Sequence, residues 1–584
     1  MNRRLLLGAG ALLLALTALL LPTGWYDTIP HEPGIILPIP GTHLLRLSFL
    51  LEAVILAALA MTNTRFTALS SAYGEVIPGR TQFPADLSRG AATLILLGVV
   101  SLGLALRING IGQDLWLDEI TPLNDYMSLD PIQVIASYRR SNNHLLNTLL
   151  ERISVGVFGE REWSVRLPAV IFGVLTIPAL YWVSRLALSR IASLGASLVL
   201  AVSYHHVFFS QNARGYTAYI LFAVLATGLF IKGLKRDRLG TWALYVLAVV
   251  LGSASLLLTG FVILSHVILC AVVAFLLRRK RIPVFPFARR MLSVYGIAGM
   301  LIVHLYSAAL PEVYAVINSV YLEPGTGYPP FSAEFFREMQ RGLTAGFGGA
   351  PALVAFLLLG AAGFLALVSF SWPLAFALVL PPTITAASLT VRGLTFSPRF
   401  FLLLLPLAVL AAMSAISWIV LNAHRLGRIS PRFASGVVAL GALAIALAGA
   451  KSLPYYYRTP KQAYRNALSL IERERPSSRI VVISNAAGGF QYYARRMKLD
   501  TTKFVYVRSP AVLDSLTAAT DHAPPVALTT FSRALSLELP EIGATLSREW
   551  QVDTTFASTV GDGEIIVWSR KSDVVGREAA GATR

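Results

Sequence analysis

Gly112-Gln113-Asp114-Leu115-Trp116-Leu117-Asp118-Glu119 places two adjacent carboxylates just after an apolar segment, residues 91–108, long enough to cross a bilayer. Carboxylates are costly beside hydrocarbon and persist there where they face a cavity or take part in chemistry. The membrane edge at Asp118 and Glu119 is therefore the first place to look for a site. Neighbouring residues on a helix point about 100° apart, at 3.6 residues per turn. The pair is accordingly read as divided, one carboxylate facing a substrate while the other holds a loop or an ion. The competing reading is an interfacial pair that simply faces water.

The rest of the chain is built from similar segments. It has 584 residues, 55% of them hydrophobic and only 14% charged, with a mean hydropathy of +0.62, which excludes an ordinary soluble globule. Apolar runs of about 18 to 22 residues recur, each able to span the hydrocarbon core as a helix. Helices are expected because every backbone N–H and C=O in lipid must be satisfied within its segment. The alternating pattern of a membrane barrel is missing. The expected fold class is an α-helical polytopic membrane protein of about 13 transmembrane helices with a small C-terminal soluble α/β domain. Spans are predicted near 4–21, 44–62, 91–108, 167–185, 191–209, 216–232, 242–258, 260–277, 291–310, 351–370, 373–390, 399–421 and 434–450.

The net charge of +19 sits largely in short loops, at Lys232, Lys235, Arg236 and Arg238, at Arg278 to Arg281, and at Arg425, Arg428 and Arg432. That is the positive-inside pattern rather than a nucleic-acid surface. With Arg3 and Arg4 inside, the loops 63–90, 186–190, 233–241, 278–290 and 422–433 are inside too. Loops 109–166 and 311–350, the latter with Tyr328-Pro329-Pro330, then fall outside. No clear small-residue cleavage site follows the first span, so it is read as a retained helix. Glu52, within the second span, is read as a buried polar contact. The sole cysteine, Cys270, lies in an apolar run and is read as a packing residue, with no intrachain disulfide possible.

Three regions result. Residues 1–90 hold two extra transmembrane helices and a cytoplasmic loop, and 91–450 form the main membrane unit, with outer loops 109–166 and 311–350. Residues 451–584 form an outward-facing α/β domain with a disordered tail. Short β-rich runs at Arg479–Ser484 and Glu564–Trp568, and a helical stretch from Pro460 to Glu474, support the last reading. Asn485-Ala486-Ala487-Gly488-Gly489 is too short a match for a nucleotide site. Within the outer loop, Ser141 or Asn142 is expected to cap a helix through Leu150. Leu146, Leu149, Leu150, Ile153 and Val157 would give it an apolar face lying in the interface plane. His144 at its start is open to three readings: metal ligand, donor to a phosphate, or structural histidine.

Five short motifs recur in order: Trp116-Leu117-Asp118-Glu119, Asn142-Asn143-His144-Leu145-Leu146-Asn147-Thr148, Glu162-Trp163-Ser164-Val165-Arg166-Leu167-Pro168-Ala169, Ser210-Gln211-Asn212-Ala213-Arg214-Gly215-Tyr216 and Ser397-Pro398-Arg399-Phe400. In order and spacing this series resembles the GT-C membrane glycosyltransferases, in the branch of the protein O-mannosyltransferases and lipid A aminoarabinose transferases. The resemblance covers roughly residues 91–450. Many relatives carry an Asp-x-His-Pro-Pro-type sequence where this chain has Asn142-Asn143-His144-Leu145-Leu146, and that departure weakens any carry-over of a metal site.

The resemblance implies an inverting transfer of a sugar from a polyprenyl-phosphate carrier to an acceptor hydroxyl on a lipid, glycan or protein, at the outer face of the cell (inner) membrane. Asp118 then stands where such enzymes keep the proposed general base, with Glu119 beside it as the second catalytic carboxylate. The donor phosphate calls for arginines, which give it planar, charge-assisted hydrogen bonds; Arg166, Arg214 and Arg399 are the candidates. Asn143, His144, Gln211 and Tyr216 complete the expected substrate-binding set. No cofactor is assigned beyond an optional divalent cation shared by Glu119 and His144, and no nucleic-acid partner is expected. Two other classes stand beside this one. A lipid or sugar transporter or flippase predicts internal repeats, which are not seen, and mid-membrane charges, whereas the candidate functional charges cluster at span ends with Glu52 the exception. An assembly factor predicts glycan binding by the C-terminal domain.

Overall fold

The structure, a computed structural model, describes residues 3–22, 24, 40–61, 75–77, 83, 86–138, 142–319, 327–483, 487–518 and 524–571. Most of loop 63–90, Ser141 as a cap, Asn485-Ala486 and the C-terminal tail lie outside the described residues. The membrane part begins with α1 (Arg3–Leu20) and α2 (Gly41–Met61), which pack on each other, followed by α3 (Arg89–Ile108). The loop after α3 folds as α4 (Leu117–Tyr126), α5 (Pro131–Ala136) and α6 (Leu145–Phe158). Then come α7 (Glu162–Ser184), α8 (Arg190–Val202), α9 (Tyr204–Ser210), α10 (Tyr216–Lys235), α11 (Leu239–Ser255), α12 (Thr259–Arg279) and α13 (Phe285–Tyr306). After α14 (Leu310–Ser319) and α15 (Ala333–Phe347) the last membrane helices are α16 (Ala350–Val391), α17 (Leu404–Arg425) and α18 (Pro431–Ala450).

Among the described residues nine helices are long and apolar enough to cross a membrane, ten if α8 and α9, bent by 60°, form one span. α16 has 42 residues, at 1.5 Å each about twice the thickness of a hydrocarbon core. It breaks at Ser371 (φ −163°, ψ 84°), two residues before Pro373, and so supplies two spans where two were expected. With the shorter apolar helices Leu5–Leu20 and α11, the thirteen expected segments all appear. Serine caps fix several starts: Ser88, Ser189 and Ser430 each accept the N–H three residues on. Basic side chains occupy the last turns of α10, α12 and α17, where the helix carbonyls favour positive charge.

Small residues let these helices close. A Cβ on Gly363 would stand 1.8 Å from the Ala411 carbonyl oxygen, so α16 and α17 cross backbone to backbone. α10 runs through the centre, buried along most of its length. At one end the basic loops are tied together by Asp86 with Arg185 and Arg190, and by Asp237 with Arg290. Glu52 meets His304 Nδ1 at 3.3 Å, which pins α2 to α13. Cys270 is buried in the membrane core, as expected of a packing residue.

α6 is inside out. Its buried face is Asn147, Thr148, Glu151 and Ser154, while Ile153 and Val157 are 61% and 68% exposed. This suits a helix with lipid on one side and a polar protein interior on the other. Its N-cap is His144, not Asn142.

After α18, α19 (Leu453–Arg458) and α20 (Tyr464–Glu474) lead into a five-stranded sheet with order β2-β1-β3-β5-β4. β1 (Ile480–Ile483), β2 (Phe504–Val507) and β3 (Val526–Thr529) are parallel, whereas β5 (Ile565–Arg570) runs antiparallel to β3 and to β4 (Trp550–Phe556). One sheet face is covered by α22 (Pro510–Ala518), α23 (Ser532–Glu538) and α24 (Pro540–Glu549), through Leu513, Leu535, Ile542 and Leu546. The other face, with α20 and α21 (Ala487–Arg496), shares one apolar core with Leu115, Ile120 and Leu123 of the loop after α3. The domain is therefore continuous with that loop.

Candidate active site

α4 begins at Leu117, so Asp118 and Glu119 occupy its first turn and point to different partners. Asp118 Oδ2 lies 2.8 Å from Arg214 Nη1 and 2.8 Å from Arg399 Nη1. The three residues come from three distant segments: the outer loop, the turn between α9 and α10, and the 3-10 turn Pro398–Phe401 that leads into α17. Asp118 keeps 20% of its side chain accessible and Arg399 30%, while Arg214 keeps 2%. A carboxylate and a guanidinium thus reach solvent side by side, with a second guanidinium behind them.

Arg214 is held from behind. Its Nε donates to His144 Nε2 at 2.9 Å, and arginine only donates, so His144 must accept there and carry its proton on Nδ1. Nδ1 in turn donates to the Ser255 carbonyl at 3.0 Å. Burial, with Arg214 next, holds the imidazole well below its usual pKa, which keeps it neutral and able to accept. The Tyr216 ring lies 5.6 Å from the guanidinium carbon, a cation–π contact. Between them Gly215 must lack a side chain, since a Cβ there would stand 2.1 Å from Ser255 O. His144 and Tyr216, expected to bind substrate, serve here to aim Arg214.

Glu119, expected beside Asp118 as catalytic, has another task. Arg166 grips it with Nε on Oε1 at 2.8 Å and Nη2 on Oε2 at 2.7 Å, and the backbone N–H groups of Ala213 and Trp116 donate to it at 2.8 and 3.2 Å. Lys461 Nζ lies 3.5 Å away. Burial alone would raise its pKa, but Arg166 and then Lys461 bring it down to about 2. The remaining Arg166 donors go to the carbonyls of Ile111, Gln113 and Asp114, so all five are used and none is left for a phosphate. Asn143 spends its amide on the carbonyls of Val134 and Ser137, and Gln211 bridges the Arg107 and Asn109 carbonyls to the Tyr456 hydroxyl. These four side chains build the wall of the site. Nor does the structure support a cation shared by Glu119 and His144, whose acceptor atoms are taken; among the described residues no group of three or more metal-ligating side chains forms.

Sequence reasoning missed several groups. Lys461, Gln462 and Arg465, from the entry to the C-terminal domain, all reach the outer loop. Their only signal is a polar cluster just after the aromatic run Tyr455-Tyr456-Tyr457. Glu151 is the other: fully buried on α6, it accepts from Asn147. Burial, then the nearby Glu119 charge, pushes its carboxyl well above the usual range and so favours its protonated form. A raised folded-state pKa gives stability that is present below the unfolded value, about 4.5, and is lost as pH rises toward the folded one. Glu151→Gln removes that loss. Thermal unfolding in detergent should show it level with the wild type at pH 5 and at least as stable at pH 8; a variant that loses ground as pH rises contradicts the assignment.

Residues 145–306 match the family model described as dolichyl-phosphate-mannose-protein mannosyltransferase. That stretch includes Arg166 and Arg214 but neither Asp118 nor Arg399. The fold is similar to that of ArnT from Cupriavidus metallidurans in the apo state, with a TM-score of 0.50 and 12% identity over 82% of this chain and 98% of that one. The same ArnT bound to undecaprenyl phosphate gives 0.48, with the same identity and coverage. The arabinosyltransferase EmbB from Mycobacterium smegmatis gives 0.35 and 14% identity, over 78% of this chain and 47% of that one. No curated protein sequence matches the chain.

Proposed function

We propose, from the premise that this chain is a multi-pass membrane protein of the GT-C glycosyltransferase fold, that it moves a sugar from a polyprenyl-phosphate carrier to an acceptor hydroxyl. The reaction takes place on the face that bears the C-terminal domain, the outer face of the cell membrane. The observation that carries the reading is the convergence of Arg214 and Arg399 on one oxygen of Asp118, at 2.8 Å each. Two guanidiniums aimed at one point suit a phosphate, and a carboxylate at that point suits a base.

The donor phosphate competes with Asp118 for the two guanidiniums and, by engaging them, releases the carboxylate toward the acceptor. Asp118 takes the acceptor O–H proton as that oxygen forms a bond to the anomeric carbon. The bond from that carbon to the phosphate oxygen breaks, its electron pair stays on the phosphate, and the configuration inverts. Polyprenyl phosphate leaves as an anion held by Arg214 and Arg399, so no protein acid has to protonate it. The family match and the ArnT-like fold support this class of donor and leave the acceptor to be found.

The test is polyprenyl-phosphate release by the purified protein in vesicles supplied with a polyprenyl-phosphate sugar and a hydroxyl acceptor. Arg399→Gln should lower kcat/KM by about 10- to 100-fold, the loss of one charge-assisted hydrogen bond. Arg399→Lys, which keeps the charge but not the fork, should fall between. No release across a panel of donors, or a wild-type Arg399→Gln, overturns the reading.

A further inference from the structure

We infer that the C-terminal domain is a positioning element of the reaction centre, with Gln462 setting Asp118 and Arg533 setting the segment that carries Arg399. The inference rests on the reading of Asp118 and Arg399 as reaction centre. An apolar core would suffice to dock the domain, and one exists around Leu115, Ile120, Tyr464 and Phe490. The polar contacts do something more specific.

Leu117 is the first residue of α4, and a first-turn N–H has no partner within its own helix. Here it donates to Gln462 Oε1 at 2.8 Å, from 345 residues further along the chain. Gln462 is fully buried and itself fixed: Tyr464 OH donates to the same oxygen at 2.9 Å, and Nε2 donates to Thr530 Oγ1 at 3.0 Å, just beyond β3. Lys461 donates to the Gln211 carbonyl and stands by Glu119 on the other side of Asp118. The residues before and after Asp118 are thus both held by two consecutive residues of the domain. Arg465 fixes the approach to α4 by donating from its backbone N–H and its Nη1 to the two Asp114 oxygens, at 2.8 and 3.0 Å.

A second contact reaches the other partner. Arg533 Nη2 donates to the Gly327 carbonyl at 2.8 Å, and its guanidinium carbon lies 4.3 Å from the centre of the Tyr328 ring. Tyr328 exchanges backbone hydrogen bonds with Phe396, at 2.8 and 2.7 Å, three residues before Arg399. Gln462 precedes α20 and Arg533 lies on α23, so one rigid sheet domain separates the two grips. The spacing of Asp118 and Arg399 is therefore referred to that domain as well as to the membrane helices.

The experiment uses the full-length protein in nanodiscs. Gln462→Met removes the acceptor for Leu117 and keeps the volume; Gln462→Glu keeps an acceptor; Arg533→Gln loosens the second grip at a partly exposed position. Hydrogen exchange of residues 115–121 should rise about tenfold or more in Gln462→Met, with exchange in the membrane helices unchanged. With a polyprenyl-phosphate sugar, kcat should fall about tenfold or more while the donor KM stays within about twofold, because a misplacement near 1 Å is enough for such a loss. Gln462→Glu should recover to within about threefold. Arg533→Gln should raise exchange at 327–331 and 396–400 and lower kcat about three- to tenfold, and it decides the matter if Gln462→Met does not fold. Wild-type exchange in these segments, or equal losses in the Met and Glu variants, overturns the inference. A wild-type protein inert with every donor sinks the transferase reading instead, while the exchange data still decide the positioning.

Discussion

Asp118→Asn is expected to cut kcat by about 10²- to 10⁴-fold, the range a positioned general base supplies, without unfolding the protein. Asparagine keeps the shape and one carbonyl oxygen for Arg214 and Arg399, but it cannot take a proton. Asp118 keeps 20% of its side chain accessible, its pair with Arg399 is partly screened, and buried Arg214 keeps His144 as a partner, so the loss in stability is smaller than the loss in rate. Donor KM should not rise: without the competing carboxylate the two guanidiniums are freer to take the phosphate, so kcat falls while donor KM is level or lower. Asp118→Glu keeps a base one methylene out of place and should retain part of the rate. Steady-state kinetics on all three proteins, with thermal midpoints measured alongside, checks this. Turnover of the asparagine variant at the wild-type rate removes Asp118 from the chemistry.

What the sequence revealed, and what it hid, follows from the range of the interactions involved. The spans were legible because apolar content over twenty residues is a local property; even the break in α16 is written in Ser371-Trp372-Pro373. The convergence of residues 118, 214 and 399 was nominated by their common level at the ends of spans, which is local too once the topology is counted. Whether a polar group is free is not local. Arg166 looks like a phosphate ligand until its five donors are found on Glu119 and three carbonyls, and Gln211 looks the same until Tyr456, 245 residues on, donates to it. The apolar stripe of α6 is plain in the sequence, whereas the buried polar stripe of Asn147 and Glu151 opposite it shows its meaning only once the protein side of the helix is known. Gln462 shows in the sequence only as part of a polar cluster, and its target at Leu117 does not show at all, since a backbone N–H has no residue type.

Glu119→Gln should be the most destabilising single change at the site, by on the order of 3–5 kcal/mol, the cost of removing one partner from a buried ion pair. Arg166 is always charged and cannot shed its proton to escape, as Lys461 can; it would be left as a buried cation with carbonyls alone for company. The glutamine amide also turns a donor toward donors: Arg166 Nε and Nη2 and the N–H groups of Ala213 and Trp116 all require acceptors. The pH dependence separates this from a catalytic role. With a folded pKa near 2 against about 4.5 unfolded, Glu119 contributes stability that is present above pH 4.5 and is lost as pH falls toward 2. The wild type should therefore lose stability on acidification through that window, while Glu119→Gln, already weakened at neutrality, shows a flatter acid limb. Thermal midpoints of the two proteins between pH 3 and pH 7 measure it. A glutamine variant as stable as the wild type, yet without turnover, returns Glu119 to the chemistry and takes from it the structural task assigned here.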